Sequence, residues 1–258
     1  MNPERWDNII KKLADSVINK PIVRNQRLNR AAVIIEPRKS DTLLHLLTWM
    51  IHLLTPFGWN FIIICGMQNT ESIQKHISLL KVDDIVSVQT KPVNNMTIPE
   101  YSSLLKSIEF WESVKHESIL IFQTDSILLN GNLEEFLHYD YVGAPWSNNT
   151  QVYIKGKVGN GGLSLRRRSG MIRAIEKSRQ FKITTKKKSV YKDEDVFFAV
   201  ECQQNLNIAP FELSKRFACE TIFHENPCGV HKFWRYLTQE EVEATYKYIE
   251  SFIQDPLQ

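Results

Sequence analysis

The sequence predicts an α/β protein with a mostly parallel central sheet flanked by helices. Short apolar runs recur at 31–36, 60–66, 84–89 and 118–123, each the length of a buried strand and too short for a helix. Segments with apolar residues at helical spacing lie between them. Strand and helix therefore alternate over roughly a hundred residues, the pattern of parallel strands joined by crossover helices. The 258 residues, 43% hydrophobic and 24% charged, suffice for a large core.

Taken in order, Trp6, Ile9, Ile10, Leu13 and Val17 share one face of an amphipathic helix over 4–18, which docks on the body or on a partner. Docking on a partner would make it an oligomer contact. A polar, basic linker runs to about Arg30. "AAVIIE" (31–36) is the first strand, and "SDTLLHLLTWMIHLL" (40–54) a helix with Ser40 at its N-cap. "NFIIICG" (60–66) is a second strand, residues 70–80 a helix, and "DIVSVQ" (84–89) a third strand. "IPEYSSLLKSIEFWESV" (98–114) is one helix with Pro99 in its first turn, and "SILIFQ" (118–123) is the fourth strand.

The second half is less regular. Residues 132–146 suggest a short helix, a short strand and a turn, and 157–167 a glycine-rich stretch leading into a strand. Residues 168–178 suit a helix, 183–192 a basic loop, and 193–205 a helix opening on three acids. The last helix, 238–253, starts with a capping box of Thr238 and Glu241. The expected organisation is a helix and linker (1–30) followed by a single domain (31–258) whose irregular part continues the same sheet.

A net charge of +3 is too small to argue for nucleic acid, and the basic clusters at 20–30, 166–168 and 182–188 suit solvated faces. The four cysteines form no C-x-x-C pair, as expected in a reducing compartment. The N-terminus is charged, without the apolar core of a secretion signal. The most apolar helix, "DTLLHLLTWMIHLL", is too short to span a bilayer. A soluble, cytoplasmic protein without a membrane span is the expectation.

The chemistry centres on "ILIFQTDSILLNG", where a buried strand ends on Asp125. In an open α/β sheet, ligands bind beyond the carboxyl ends of the strands, where strand order reverses. A carboxylate there can hold a divalent cation together with substrate phosphates, or it can cap the next turn. In "VGNGGLSL", the glycines around Asn160 allow close backbone approach to a ligand, or a tight turn. Asp193, Glu194 and Asp195 open a helix, where the dipole favours acids; a third acid exceeds what capping needs. "HENPCGVHKFW" gathers His224, Cys228, His231 and Lys232. Without a second cysteine pair, one histidine joining Asp125 at a catalytic metal is more economical than zinc, and a surface histidine is the plainer alternative. Tyr141, Trp146 and Trp234 are candidates to stack on a sugar or base, or to edge the core.

The ordered series "VIIEPR" (33–38), Phe110-Trp111, "LIFQTDS" (120–126), "YDYVGAPW" (139–146), "VGNGGLSLR" (158–166), "EDVFF" (194–198) and "PCGVHKFW" (227–234) resembles the DUF5672 family, grouped with glycosyltransferases of the GT-A type. The resemblance spans about 31–235. Such proteins occur in large DNA viruses, among other sources, and the Ile-, Lys- and Asn-rich composition would suit an AT-rich genome; a viral chain would reside in the host cytoplasm or virion. The resemblance implies a GT-A-like fold and transfer of a sugar from a nucleotide-diphosphate donor, by default a UDP-sugar, to a glycan or protein-linked hydroxyl, with inversion.

GT-A enzymes usually carry D-x-D, its last Asp on Mn²⁺ or Mg²⁺. Here the triplet is Gln123-Thr124-Asp125, so only Asp125 carries over as a metal ligand, with His231 as the matching C-terminal ligand. The resemblance gives Asp195 as catalytic base and Glu194 as second choice. It gives Glu36, Arg38, Gln123, Thr124, Asp125, Asn160, Gly161, Gly162 and Lys232 as the donor-binding set, with Lys232 or Arg38 adding positive charge at the phosphates. The degenerate triplet keeps open a non-catalytic nucleotide- or carbohydrate-binding module, and a nucleotidyltransferase on a related fold is a further alternative.

Overall fold

The structure, a computed structural model, describes residues 3–148, 151, 154, 156–185 and 191–256. Helix α1 (Pro3–Val17) precedes β1 (Arg30–Glu36), α2 (Asp41–Leu54), β2 (Asn60–Gly66), α3 (Thr70–Leu80), β3 (Val86–Lys91), α4 (Ile98–Leu105), α5 (Ile108–Ser113) and β4 (Ser118–Phe122). The strand-helix alternation read from the apolar runs is present. Beyond it come β5 (Ser126–Leu128), β6 (Tyr141–Gly143), β7 (Leu163–Arg167), α6 (Arg168–Thr185), the single turn α7 (Glu194–Val196), α8 (Phe211–Phe217), β8 (Ala218–Cys219), β9 (Gly229–His231) and α9 (Gln239–Gln254).

Among the described residues, six strands form the main sheet in the order β3-β2-β1-β4-β7-β6. Strands β1 to β4 are parallel, and β7 runs antiparallel to both β4 and β6. The chain starts at β1, moves outward to β3, then returns to lay β4 on the other side of β1. Strand order thus reverses between β1 and β4, and a crevice opens above their carboxyl ends. Alternate residues of β1 face opposite layers: Ala32 and Ile34 join the core under α1, α2 and α9, whereas Ala31, Val33 and Ile35 join the one under α5 and α6.

Helix α1 docks on the body. Its Trp6, Ile9, Ile10, Leu13 and Val17 are buried in the same core as α2 and α9. Arg5 forks onto Glu243 of α9 at 2.7 and 2.9 Å and lies over the Tyr246 ring. The apolar face that the sequence offered to a partner is therefore covered within the chain.

Several local expectations are corrected. The single helix over 98–114 is two, because Ser107 caps the Phe110 amide at 3.2 Å and starts a new helix. The helix over 193–205 is α7 followed by a π turn over Phe197–Glu201 and a 3₁₀ turn over Gln203–Asn205. Helix α6 runs to Thr185, into the segment read as a basic loop, and residues 186–190 of that segment lie outside the described residues. Ser40 precedes α2 without a side-chain cap bond. The capping box of Thr238 and Glu241 is present. The irregular half does not all extend the main sheet: β5, β9 and β8 form a second sheet. The four cysteines are buried and form no disulfide, and among the described residues no helix is long and apolar enough to cross a membrane.

Candidate active site

Asp125 leaves the sheet on a tight turn. The Ser126 amide and hydroxyl both donate to the Gln123 carbonyl, at 3.0 and 2.9 Å, and the Gln123 amide donates to the Ser126 hydroxyl. Trp6 of α1 donates its indole N–H to the Thr124 carbonyl at 2.9 Å. The turn is thus fixed from within and from the N-terminal helix, and the Asp125 side chain is held above the β1–β4 crevice.

The second sheet brings the remote residues to this point. Strand β5 starts immediately after Asp125 and pairs antiparallel with β9, Ser126 opposite His231. Lys232 therefore falls beside Asp125: its amide donates to the Asp125 carbonyl at 3.1 Å and its ammonium lies 3.0 Å from Oδ2. Lys232 does this with a left-handed backbone, φ 44°, a cost borne more often at functional positions than elsewhere. His231 Nε2 lies 3.3 Å from Asp125 Oδ1. Strand β8 runs parallel to β9, Cys219 beside Val230, so the next residue, Glu220, falls beside His231, with Oε1 3.2 Å from Nδ1. His231 and Glu220 are both 5% exposed.

Burial pushes the Asp125 carboxyl up, but His231 and then Lys232 outweigh it and hold the group well below the usual carboxylate range. For His231, burial lowers basicity, and the carboxylates of Asp125 and Glu220 overcome this and raise it.

The glycine-rich segment forms the opposite wall. Asn160 takes φ 57° with its side-chain oxygen accepting the Gly162 amide at 3.1 Å. The Gly161 amide donates to Asp195 Oδ2 at 3.2 Å. The glycines are required by close approach: a Cβ on Gly161 would sit 2.1 Å from Glu194 Oε1, and one on Gly162 would sit 2.1 Å from His231 Nε2. Asp195 is half-buried, and desolvation followed by the neighbouring Glu194 charge pushes its carboxyl up to about 7. Glu194 is differently placed: Arg166 grips it through two hydrogen bonds of 2.7 and 3.0 Å, with both side chains buried. The Glu194 oxygens are engaged with a guanidinium, which leaves Asp195 the freer of the two carboxylates. The reading of Arg166 as part of a solvated basic face is corrected, because Arg166 is 0% exposed.

Asp125, His231, Lys232, Asn160, Gly161, Gly162, Glu194, Asp195, Gln123, Thr124, Glu36 and Arg38, the full set read from the sequence, line one cavity of about 820 Å³. Glu36 and Arg38 enter as a pair, Arg38 donating to both Glu36 oxygens at 2.8 and 2.7 Å. Asn69 holds their backbone in place by donating to the Glu36 and Arg38 carbonyls. Trp146 lines the same cavity, Tyr141 is buried beneath it, and Trp234 packs on Trp6 with centroids 4.9 Å apart. A second cavity of about 950 Å³ opens on the other side of Thr124 and Asp125, between α1 and the turn carrying Trp234 and Arg235.

Residues 84–231 match the family model described as "Protein of unknown function (DUF5672)", more than half of the chain. The chain belongs to the DUF5672 family. The matched span holds Asp125, Asp195 and His231 and leaves β1, with Glu36 and Arg38, outside it. This DUF5672 protein matches no curated protein by sequence. Its structure resembles the apo form of the glycosyltransferase GlyE from Streptococcus pneumoniae TIGR4, with TM-score 0.51 at 8% identity. The likeness covers 88% of this chain and 64% of GlyE, so the chain spans under two thirds of that protein. The likeness is one of fold: a mostly parallel sheet flanked by helices. HddC from Yersinia pseudotuberculosis, at TM-score 0.37 and 11% identity over 56% of this chain and 79% of HddC, is too distant to bear on the site.

The residues of the DUF5672 protein fit a divalent cation. Asp125 Oδ1 and His231 Nε2 are 3.3 Å apart, and neither has a hydrogen-bond partner. Two ligands each about 2.1 Å from one ion at near right angles stand about 3 Å apart. One carboxylate oxygen and one imidazole nitrogen would suit Mn²⁺ better than the oxygen-seeking Mg²⁺, with room left for phosphate and water. Among the described residues, no group of three or more His, Cys, Asp or Glu could hold a metal ion, so any ion here would need ligands from outside the protein.

Proposed function

We propose that this DUF5672 protein is a GT-A-type glycosyltransferase that moves a sugar from a nucleotide-diphosphate donor, with UDP-sugar the first to try, to a hydroxyl of a glycan or protein-linked acceptor. The observation that carries the reading is the meeting, in one cavity at the sheet's switch point, of the unpartnered Asp125 Oδ1 and His231 Nε2 with a half-buried carboxylate, Asp195, that is pushed up to about 7. The fold likeness to GlyE supports it.

In this reading the acceptor oxygen bonds to the anomeric carbon as the bond from that carbon to the diphosphate oxygen breaks. Asp195 takes the hydroxyl proton; a carboxylate tuned to the operating pH is suited to that task, and such catalysis contributes roughly 10²–10⁴-fold, or about 3–5 kcal/mol. The Gly161 amide holds the Asp195 carboxylate in place, and the buried Arg166–Glu194 pair fixes the turn on which it sits. The Lys232 ammonium faces the departing diphosphate from beside Asp125. A cation bound by Asp125 and His231 would supply Lewis-acid stabilisation of the phosphate charge, worth several kcal/mol. A base on the face opposite the leaving group gives inversion.

A binding module without turnover is the second reading. Gln123 stands where a second acid would support the metal, and Lys232 already neutralises Asp125. Incubation with Mn²⁺ and a panel of nucleotide sugars separates the two. Release of nucleoside diphosphate, lost in Asp195→Asn, supports the transferase; tight nucleotide binding without release across several acceptors supports the module. Release of pyrophosphate from a nucleoside triphosphate would instead indicate nucleotidyl transfer.

A further inference from the structure

Glu220 has no role in the chemistry described so far, yet it is a buried carboxylate at the heart of the site. It follows the two-residue strand β8, and the parallel register with β9 sets it beside His231 rather than beside solvent. Its Oε1 faces His231 Nδ1 at 3.2 Å, while Asp125 Oδ1 faces Nε2 at 3.3 Å from the other side. The imidazole is thus sandwiched between two carboxylates, and neither ring nitrogen closes a hydrogen bond of good angle. Buried polar atoms rarely remain in that state.

The two sides differ in what else they meet. Asp125 is half-buried, opens on both cavities and already carries the Lys232 ammonium on its second oxygen. Glu220 also lines the first cavity but is only 5% exposed, its Oε2 is without a partner, and no ion pair to a lysine or arginine involves it among the described residues. A buried carboxylate facing one ring nitrogen defines where that nitrogen's proton goes. With Nδ1–H directed to Glu220, the Nε2 lone pair is presented to the space shared with Asp125. Two acceptors facing one another across 3.3 Å call for either a proton on Nε2 or a cation between them.

We propose that Glu220 is a positioning residue: it accepts the His231 Nδ1–H, orients the ring and directs Nε2, together with Asp125, at a divalent cation. This inference rests on the metal reading of the site above. Outer carboxylates that orient a ligating histidine typically account for 10–100-fold in metal affinity. Gly162 opposite completes the arrangement, since any side chain there would strike Nε2.

The test uses the full chain, Mn²⁺ alone and three substitutions, Glu220→Gln, Glu220→Leu and His231→Ala. Mn²⁺ binding is followed by electron paramagnetic resonance, and the His231 ring by ¹⁵N-resolved NMR of the metal-free protein. The expected results are a slowly exchanging Nδ1–H in the wild type, its retention with near-normal Mn²⁺ affinity in Glu220→Gln, and its loss with a 10–100-fold weaker affinity in Glu220→Leu. Thermal melts of all three report whether the fold is kept. Three results overturn the inference. One is a wild-type ring protonated at Nε2 alone, which needs no variant to observe. Another is a Glu220→Leu protein that binds Mn²⁺ as tightly as the wild type while His231→Ala does not; Glu220 then has no positioning role and the metal site survives. The third is no Mn²⁺ binding by the wild type, which removes the metal reading along with the inference.

Discussion

His231 Nε2 lies 3.3 Å from Asp125 Oδ1, although one residue follows β4 and the other ends β9. The antiparallel pairing of β5 with β9, in which Ser126 opposes His231, makes that meeting obligatory. Any change that slips this register by one residue turns the His231 side chain to the other face of the small sheet.

Asp125→Ala and Asp195→Asn are both expected to abolish transfer, for different reasons. Asp195→Asn removes the proton acceptor and should lower kcat by about 10²–10⁴-fold with donor binding kept. Asp125→Ala removes a cation ligand and should lower kcat at least as much, with Mn²⁺ affinity reduced as well. Steady-state kinetics with a nucleotide-sugar donor, alongside Mn²⁺ titration, distinguish the two. Weak donor binding with normal turnover in Asp125→Ala would argue against the metal role.

The pH dependence follows from Asp195. As a base it must be ionised, so the rate should rise with pH through an inflection near 7. Stability moves the opposite way. The folded carboxyl keeps its proton up to about 7, against about 4 for an ordinary aspartate, so the folded state binds more protons than the unfolded between those values. Stability from this group is therefore fully present below about 4 and is lost as pH rises to about 7. Asp195→Asn cannot ionise, and its Tm advantage over the wild type should grow between pH 5 and pH 8. A constant difference across that range would contradict the raised proton affinity.

Arg166 and Glu194 should behave as a buried pair rather than as catalytic groups. Arg166→Met strands a carboxylate in the interior, and denaturant unfolding should show a loss of about 3–5 kcal/mol. Replacing both partners with apolar residues should recover much of that loss. If Glu194→Gln matched Asp195→Asn in lost turnover at unchanged stability, the base assignment would move to Glu194.

Gly162→Ala tests the glycine wall. Its Cβ would lie 2.1 Å from His231 Nε2, so the imidazole must move. Mn²⁺ affinity should fall and the chain should lose about 1–3 kcal/mol of stability, the ordinary cost of overpacking. Normal Mn²⁺ binding in this variant would mean that His231 is not a ligand.

The parallel half of the fold was legible because its strands are continuous apolar runs between amphipathic helices, and Asp125 stood out as a carboxylate at the end of one such run. The small second sheet was not: strands of two and three residues leave no periodicity to read. That is why Glu220 was missed, since its partner is set by register in a sheet that the sequence does not announce. Arg166 carried a usable signal. In "LSLRR", Ser164 and Arg166 share one face and Leu163 and Leu165 the other, so the alternation of a strand marked Arg166 for the interior side opposite the leucines. Trp6 lies far before the motif series, and its bond to the Thr124 carbonyl depends on how α1 folds back over the body.

The most direct measurement is a crystal structure of the protein with Mn²⁺ and a nucleoside diphosphate, the metal located by its anomalous scattering. The expected result is one ion within about 2.0–2.3 Å of both Asp125 Oδ1 and His231 Nε2, with diphosphate oxygens completing its shell beside Lys232. A diphosphate bound away from Asp125, or a metal that ignores both residues, would contradict the account.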